Sequence, residues 1–293
     1  MKKCILLLIL LAVLLSGCTQ PPQSQIAATT LPVYELTTRL CEGTDITVTQ
    51  LVTEAVSCLH DYSLNVHQVR SAEAAELIVI NGAGLEDFME DLLHHKSVID
   101  SSKGIALIET SYEHNHGHEA DSHEGHHHEE DPHIWLSPKN AKIMAQNICN
   151  GLSTQYPAHS DLFEFNLNEL LSDLDKLQNY GEMQLADLSC RELITFHDGF
   201  AYLAESFDLE ILEAVEEESG SEASASELVH LIEEVRHHDL PAIFTESLGS
   251  VSAARIIAAE TGADIYTLDM AMHGESYLSA MYHNISTLKG ALG

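Results

Sequence analysis

Two hydrophobic periods alternate along this chain. Short apolar runs closed by polar or glycine-containing turns predict strands at residues 26–33, 46–52, 77–81 and 104–109, and again at 192–196, 209–214, 242–246 and 264–268. Helix-length stretches lie between them, for example at 66–75 and 85–94 in the first half and at 199–207, 226–237 and 250–261 in the second. Strands separated by helices predict parallel sheets built from βα units. Because the pattern is written twice, the expected fold class is α/β, with two lobes of parallel four-stranded sheet flanked by helices. Between the halves, residues 160–188 carry Leu167, Leu170, Leu171, Leu174 and Leu177 at helical spacing with no interrupting proline. One long helix is expected there, a rigid connector that limits hinge motion between the lobes.

The start of the chain has a different pattern. Met1-Lys2-Lys3 is followed by an almost unbroken apolar stretch from Ile5 to Leu15, too short to span a bilayer comfortably, and then by Leu15-Ser16-Gly17-Cys18. This ending resembles a bacterial lipobox and implies cleavage before Cys18 and lipidation of its sulfur. The expected organisation is a signal segment at 1–18, a tether at 19–25, a first lobe at 26–155, a linker helix at 156–188 and a second lobe at 189–293. No other segment reads as membrane-spanning. The formal net charge of −33 excludes a nucleic-acid partner and favours cations weakly through the overall field. Cys41, Cys58, Cys149 and Cys190 remain after the signal and the lipid site. In an oxidising compartment they suggest disulfides, Cys41 with Cys58 and Cys149 with Cys190 being nearest in sequence, with buried free thiols as the alternative.

Candidate chemistry is concentrated in histidine. Eight of nineteen histidines fall within His114–His133, where His114, His116, His118, His123, His126, His127 and His128 alternate with carboxylates and glycines before Asp131-Pro132-His133. Imidazole mixed with carboxylate suits a borderline-soft divalent cation, zinc above all. The stretch has no apolar period, so residues 113–131 read as an auxiliary metal-gathering loop. His123-Glu124-Gly125-His126-His127 formally matches H-E-x-x-H, but that chemistry needs a stable helix, which this composition does not offer. Four positions share another address, just past the carboxyl end of a predicted strand: His60, His133, His197 and Asp269. Open α/β sheets bind ligands there, and two ligands from each half would hold a metal in the cleft between lobes. Three imidazoles and one carboxylate make a closed tetrahedral set. Glu246 is the alternative carboxylate, and both acids also fit as helix caps. His67 and His273 are the next histidines in rank.

His60-Asp61-Tyr62, Gly84-Leu85-Glu86-Asp87-Phe88, Asp131-Pro132-His133-Ile134-Trp135-Leu136-Ser137-Pro138, Phe196-His197-Asp198, Phe244-Thr245-Glu246, Glu260-Thr261-Gly262-Ala263 and Thr267-Leu268-Asp269 occur in that order. In order and spacing the chain resembles the zinc-binding members of the zinc/manganese solute-binding lipoproteins that serve bacterial ABC importers. The resemblance covers essentially the whole mature chain. It implies two α/β lobes joined by a long helix, His60, His133 and His197 as metal ligands, and Asp269 at the family's carboxylate position. It departs at Asp269-Met270-Ala271-Met272, where the family often reads Asp-Pro-Leu-Gly. The expected role is zinc capture outside the cytoplasm and delivery to a membrane permease. The expected state is a non-enzymatic monomer held to the outer face of the cell membrane through the lipid on Cys18, or periplasmic. Manganese capture, a surface zinc buffer or adhesin, and a metallohydrolase using Asp61 or Asp198 as base are the alternatives. Three imidazoles favour zinc, since manganese sites use more oxygen.

Overall fold

The computed structural model describes residues 25–56, 59, 62–109, 130–215 and 223–293. Two parallel four-stranded sheets form its frame. β1 (Ile26–Ala28), β2 (Val48–Gln50), β3 (Leu77–Ile80) and β4 (Ser97–Asp100) lie in the order β2-β1-β3-β4. β5 (Glu192–Thr195), β6 (Glu210–Ala214), β7 (Ala242–Glu246) and β8 (Asp264–Leu268) repeat it as β6-β5-β7-β8. Each order reverses its winding once, between β1 and β3 and between β5 and β7. The carboxyl ends at such a reversal open a crevice for ligands.

The first half supplies helices α1 (Leu31–Leu40), α2 (Val66–Ala74) and α3 (Glu90–Leu93), then α4 (Pro138–Gln155). The connector is α5 (Ser160–Gln184), and the second half adds α6 (Ala201–Ser206), α7 (Ala225–His237), α8 (Ser252–Thr261) and α9 (Tyr277–Leu292). Capping fits the sequence: α2 and α7 begin with reciprocal boxes, Asn65 with Gln68 and Ser224 with Glu227. α5 runs 25 residues without a break, about 38 Å at the usual rise. Gly181 does not interrupt it because the glycine serves packing. A Cβ there would lie 2.2 Å from the Phe207 ring, so the helix approaches α6 as closely as it does only without one.

Successive strand side chains point to opposite faces, and here the two faces have different partners. Ile26, Ala28, Leu77 and Val79 of the first sheet and Leu193, Ala242 and Phe244 of the second enter one shared core with Leu170, Leu174 and Leu177 of α5. Ala27 and Ile78 instead pack outward with Leu51, Ala72 and Met89. Ile194 and Ile243 pack outward with Leu231, Val235, Ala254 and Ile257. The inner faces of both sheets therefore close on a single apolar interior to which the connector contributes its buried face.

The two-lobed α/β architecture and the long connector match the sequence expectation, while several elements differ. The strand expected at 104–109 lies earlier, at Ser97–Asp100, paired along β3. Ser97-Val98-Ile99-Asp100 carries a weak apolar signal because β4 is an edge strand, whereas Ile105 fills the core after a turn at Gly104. Of 26–33, only Ile26–Ala28 is strand, since Pro32 sits in the first turn of α1, where its missing N–H costs nothing. The suggested disulfides are absent among the described residues: Cys41, Cys149 and Cys190 are free thiols. Burial pushes the Cys41 thiol up to about 12 and raises that of Cys149. Cys58 lies outside the described residues, and among those described no helix is long and apolar enough to cross a membrane.

Candidate metal centre

His133 and His197 meet in the cleft. His197 follows β5 directly. His133 is carried by Asp131–Ser137, a segment fastened to both lobes. On its own side, Asn81 beyond β3 donates Nδ2–H to Pro132 O at 3.0 Å. Glu86 secures Asn81 in turn, accepting from Asn81 N–H at 2.8 Å, Gly82 N–H at 3.0 Å and the Thr29 hydroxyl at 2.6 Å. Burial outweighs these three donors and raises the Glu86 carboxyl to about 7. On the far side, Trp135 Nε1–H donates to Met270 O and the Tyr277 hydroxyl to Trp135 O, both at 2.7 Å. The Trp135 ring lies 5.3 Å from that of His133.

The two imidazoles, each 2 % exposed, stand nearly perpendicular with Nε2 atoms 3.5 Å apart. Asp131 explains which His133 nitrogen faces the partner. Its Oδ1 accepts the His133 backbone N–H at 2.8 Å and lies 2.7 Å from Nδ1. A carboxylate on Nδ1 keeps the proton there and leaves the Nε2 lone pair directed into the cleft. Gly199 makes the approach on the other side fit. A Cβ there would lie 2.7 Å from His197 Cδ2 and 2.7 Å from Met270 Cε, so glycine lets the thioether and the imidazole share one wall.

The carboxylates sit nearby in register. Thr195 pairs with Phe244 and Glu246 with Leu268, so His197, Glu246 and Asp269 mark adjacent strand ends. Glu246 is buried at the last position of β7. The Asp269 carboxylate accepts the Ala271 N–H at 2.7 Å across a turn with Ala271 at φ +56, and lies 3.8 Å from His273 Nδ1. No three His, Cys, Asp or Glu side chains form a metal-holding group among the described residues. His60, Cys18 and the histidines at 114, 116, 118, 123, 126, 127 and 128 lie outside them. Sequence reasoning missed the work of Asp131 and Asn81. For Asp131 the signal was present, a carboxylate two residues before a histidine with proline between.

The chain matches the family model "ZnuA: Zinc-uptake complex component A periplasmic" over residues 26–291. It is 29 % identical to the zinc-binding lipoprotein AdcA of Streptococcus pneumoniae over 311 aligned positions, covering 99 % of this chain and 61 % of that one. The chain therefore spans less than two thirds of that relative. The crystal structure of ZnuA superposes with a TM-score of 0.79 at 28 % identity, covering 92 % of this chain and all of the other. The Zn(II)-bound ZnuA-like domain of Streptococcus pneumoniae AdcA gives 0.74 at 26 %, covering 91 % and 98 %. A match along nearly the whole chain, on the fold that brings His133 and His197 together, makes this protein a member of the ZnuA family of zinc-uptake components.

Proposed function

We propose that this protein captures zinc outside the cytoplasm and delivers it to the permease of an ABC importer. The observation that carries the reading is the 3.5 Å separation of two buried Nε2 atoms, one from each half of the chain. Bonds of 2.0–2.1 Å in a tetrahedral shell place two nitrogens about 3.3 Å apart, so the pair is already spaced to share one zinc. His60 is the third imidazole in this reading, and Asp269, with Glu246 as alternative, the carboxylate. Zinc is the cargo, and the protein performs no reaction on it. The family's zinc-uptake role and the zinc named for AdcA support the choice of metal. Lipid on Cys18 would hold the monomer at the membrane surface near the permease, and the histidines at 114–128 would gather further ions more weakly.

The test is competitive titration with zinc and manganese of protein lacking residues 1–18, with and without residues 114–130. One tight zinc site that survives loop removal is expected, with weak manganese binding. His133→Ala and His197→Ala should each lose more than about 100-fold in zinc affinity while remaining folded. Tight binding that disappears with the loop would leave a surface buffer as the better account.

A further inference from the structure

The chain segments on either side of the His-rich stretch meet at a neck. Asp131 N–H donates to Ile108 O at 2.8 Å, and Glu109 and Glu130 form an antiparallel bridge. A hydroxyl from the other lobe enters this neck. Tyr202 sits in α6, the helix after His197, with its ring buried. Its Oη donates to Asp131 O at 2.9 Å and accepts the Ile108 N–H at 2.9 Å, so one oxygen ties both sides of the neck to the second lobe. Asp131 then holds His133 through the backbone N–H and through Nδ1.

We propose that Tyr202 is a positioning residue for metal capture, its hydroxyl fixing the carrier of His133 against the helix that follows His197 and so setting the distance between the two imidazoles. This rests on the reading of the cleft as a zinc site. The other bonds across the same seam lie after His133: Ser206 Oγ to Ser137 Oγ at 2.9 Å, Trp135 to Met270 and Tyr277 to Trp135. Tyr202 secures the residues before it, including the carboxylate that selects the His133 tautomer. Loss of the hydroxyl leaves a part-buried N–H and a buried carbonyl short of a partner, and a peptide plane that can shift to recover one moves Asp131 with it.

The experiment compares Tyr202→Phe with Ser206→Ala in the otherwise complete mature chain, since Phe keeps the ring and its packing. Zinc affinity, the d–d absorption of the cobalt(II)-loaded protein and thermal unfolding of the metal-free protein are measured. Tyr202→Phe should weaken zinc binding roughly tenfold, in the range for an outer residue that orients a ligand, and change the cobalt spectrum. Ser206→Ala, which breaks a bond of the same seam away from Asp131, should lower the melting temperature and keep wild-type affinity and spectrum. A Tyr202→Phe protein with a lowered melting temperature but unaltered affinity and spectrum would make the tyrosine a structural strut and overturn the proposal. If instead His133→Ala leaves zinc affinity unchanged in the wild-type background, the reading of the cleft fails.

Discussion

At the scale of single residues, Glu86 shows how the frame of the site responds to acid. Its carboxyl receives three hydrogen bonds, yet burial dominates and lifts it from 4.5 to about 7. A carboxyl raised on folding binds its proton more tightly in the native state, so its contribution to stability is intact below 4.5. It declines as pH rises toward 7, where the unfolded chain is ionised and the native one is not. The shift corresponds to about 3 kcal/mol across that window. Glu86→Gln keeps the shape and removes the titration. Denaturant unfolding at a series of pH values should show wild type losing stability relative to the variant between 4.5 and 7, with no further loss above. Parallel curves would mean that the carboxyl titrates normally. How much of the site was legible divides along similar lines. His197 could be read because an imidazole stands out at the end of β5, whereas the strand expected before His133 at 104–109 is absent, and the 3.5 Å between the two could not be read, since they lie 64 residues apart in sequence and in different lobes. Asp131 reads in the sequence as the end of the metal-gathering stretch, and only the structure gives its two contacts with His133.

At the scale of elements, packing decides where the sequence misleads. Gly181 reads as a weak point in α5, but it marks where Phe207 lies against the helix. Gly181→Ala gains about 1 kcal/mol of helix propensity and meets overpacking of about 1–3 kcal/mol, so a net loss of stability is expected. Thermal denaturation of Gly181→Ala, and of that variant combined with Phe207→Leu, checks this. The second change should recover most of the loss, and a Gly181→Ala protein more stable than wild type would refute the packing role. The strands of the second half were readable because β7 is buried on both sides and apolar throughout its first three positions. β4 was not, because an edge strand needs few apolar residues. α1 was hidden in an apolar run whose proline argued equally for a strand end and for a first helical turn.

At the scale of the whole molecule, the shared interior sets what can move. Alternation within each strand revealed that two faces exist, but no sequence pattern says that the inner faces of two sheets meet the same helix. With Ile26, Leu174 and Phe244 in one core, opening the lobes like a hinge would expose apolar surface from both. α1 and α9 add a polar tie, for Glu35 of α1 accepts the Tyr277 N–H at 2.6 Å and so satisfies the start of α9. On the proposed reading, metal would then enter and leave through local shifts of the segments that carry His133 and His197. Small-angle scattering of metal-free and zinc-loaded protein should give coincident radii of gyration, and a clear contraction on zinc binding would contradict the single core. One consequence concerns Trp135, the chain's sole tryptophan, whose indole lies against His133. Tryptophan emission from this protein therefore arises at the edge of the cleft, so on the proposed reading the arrival and release of cargo in the purified protein should be timed optically, without a label.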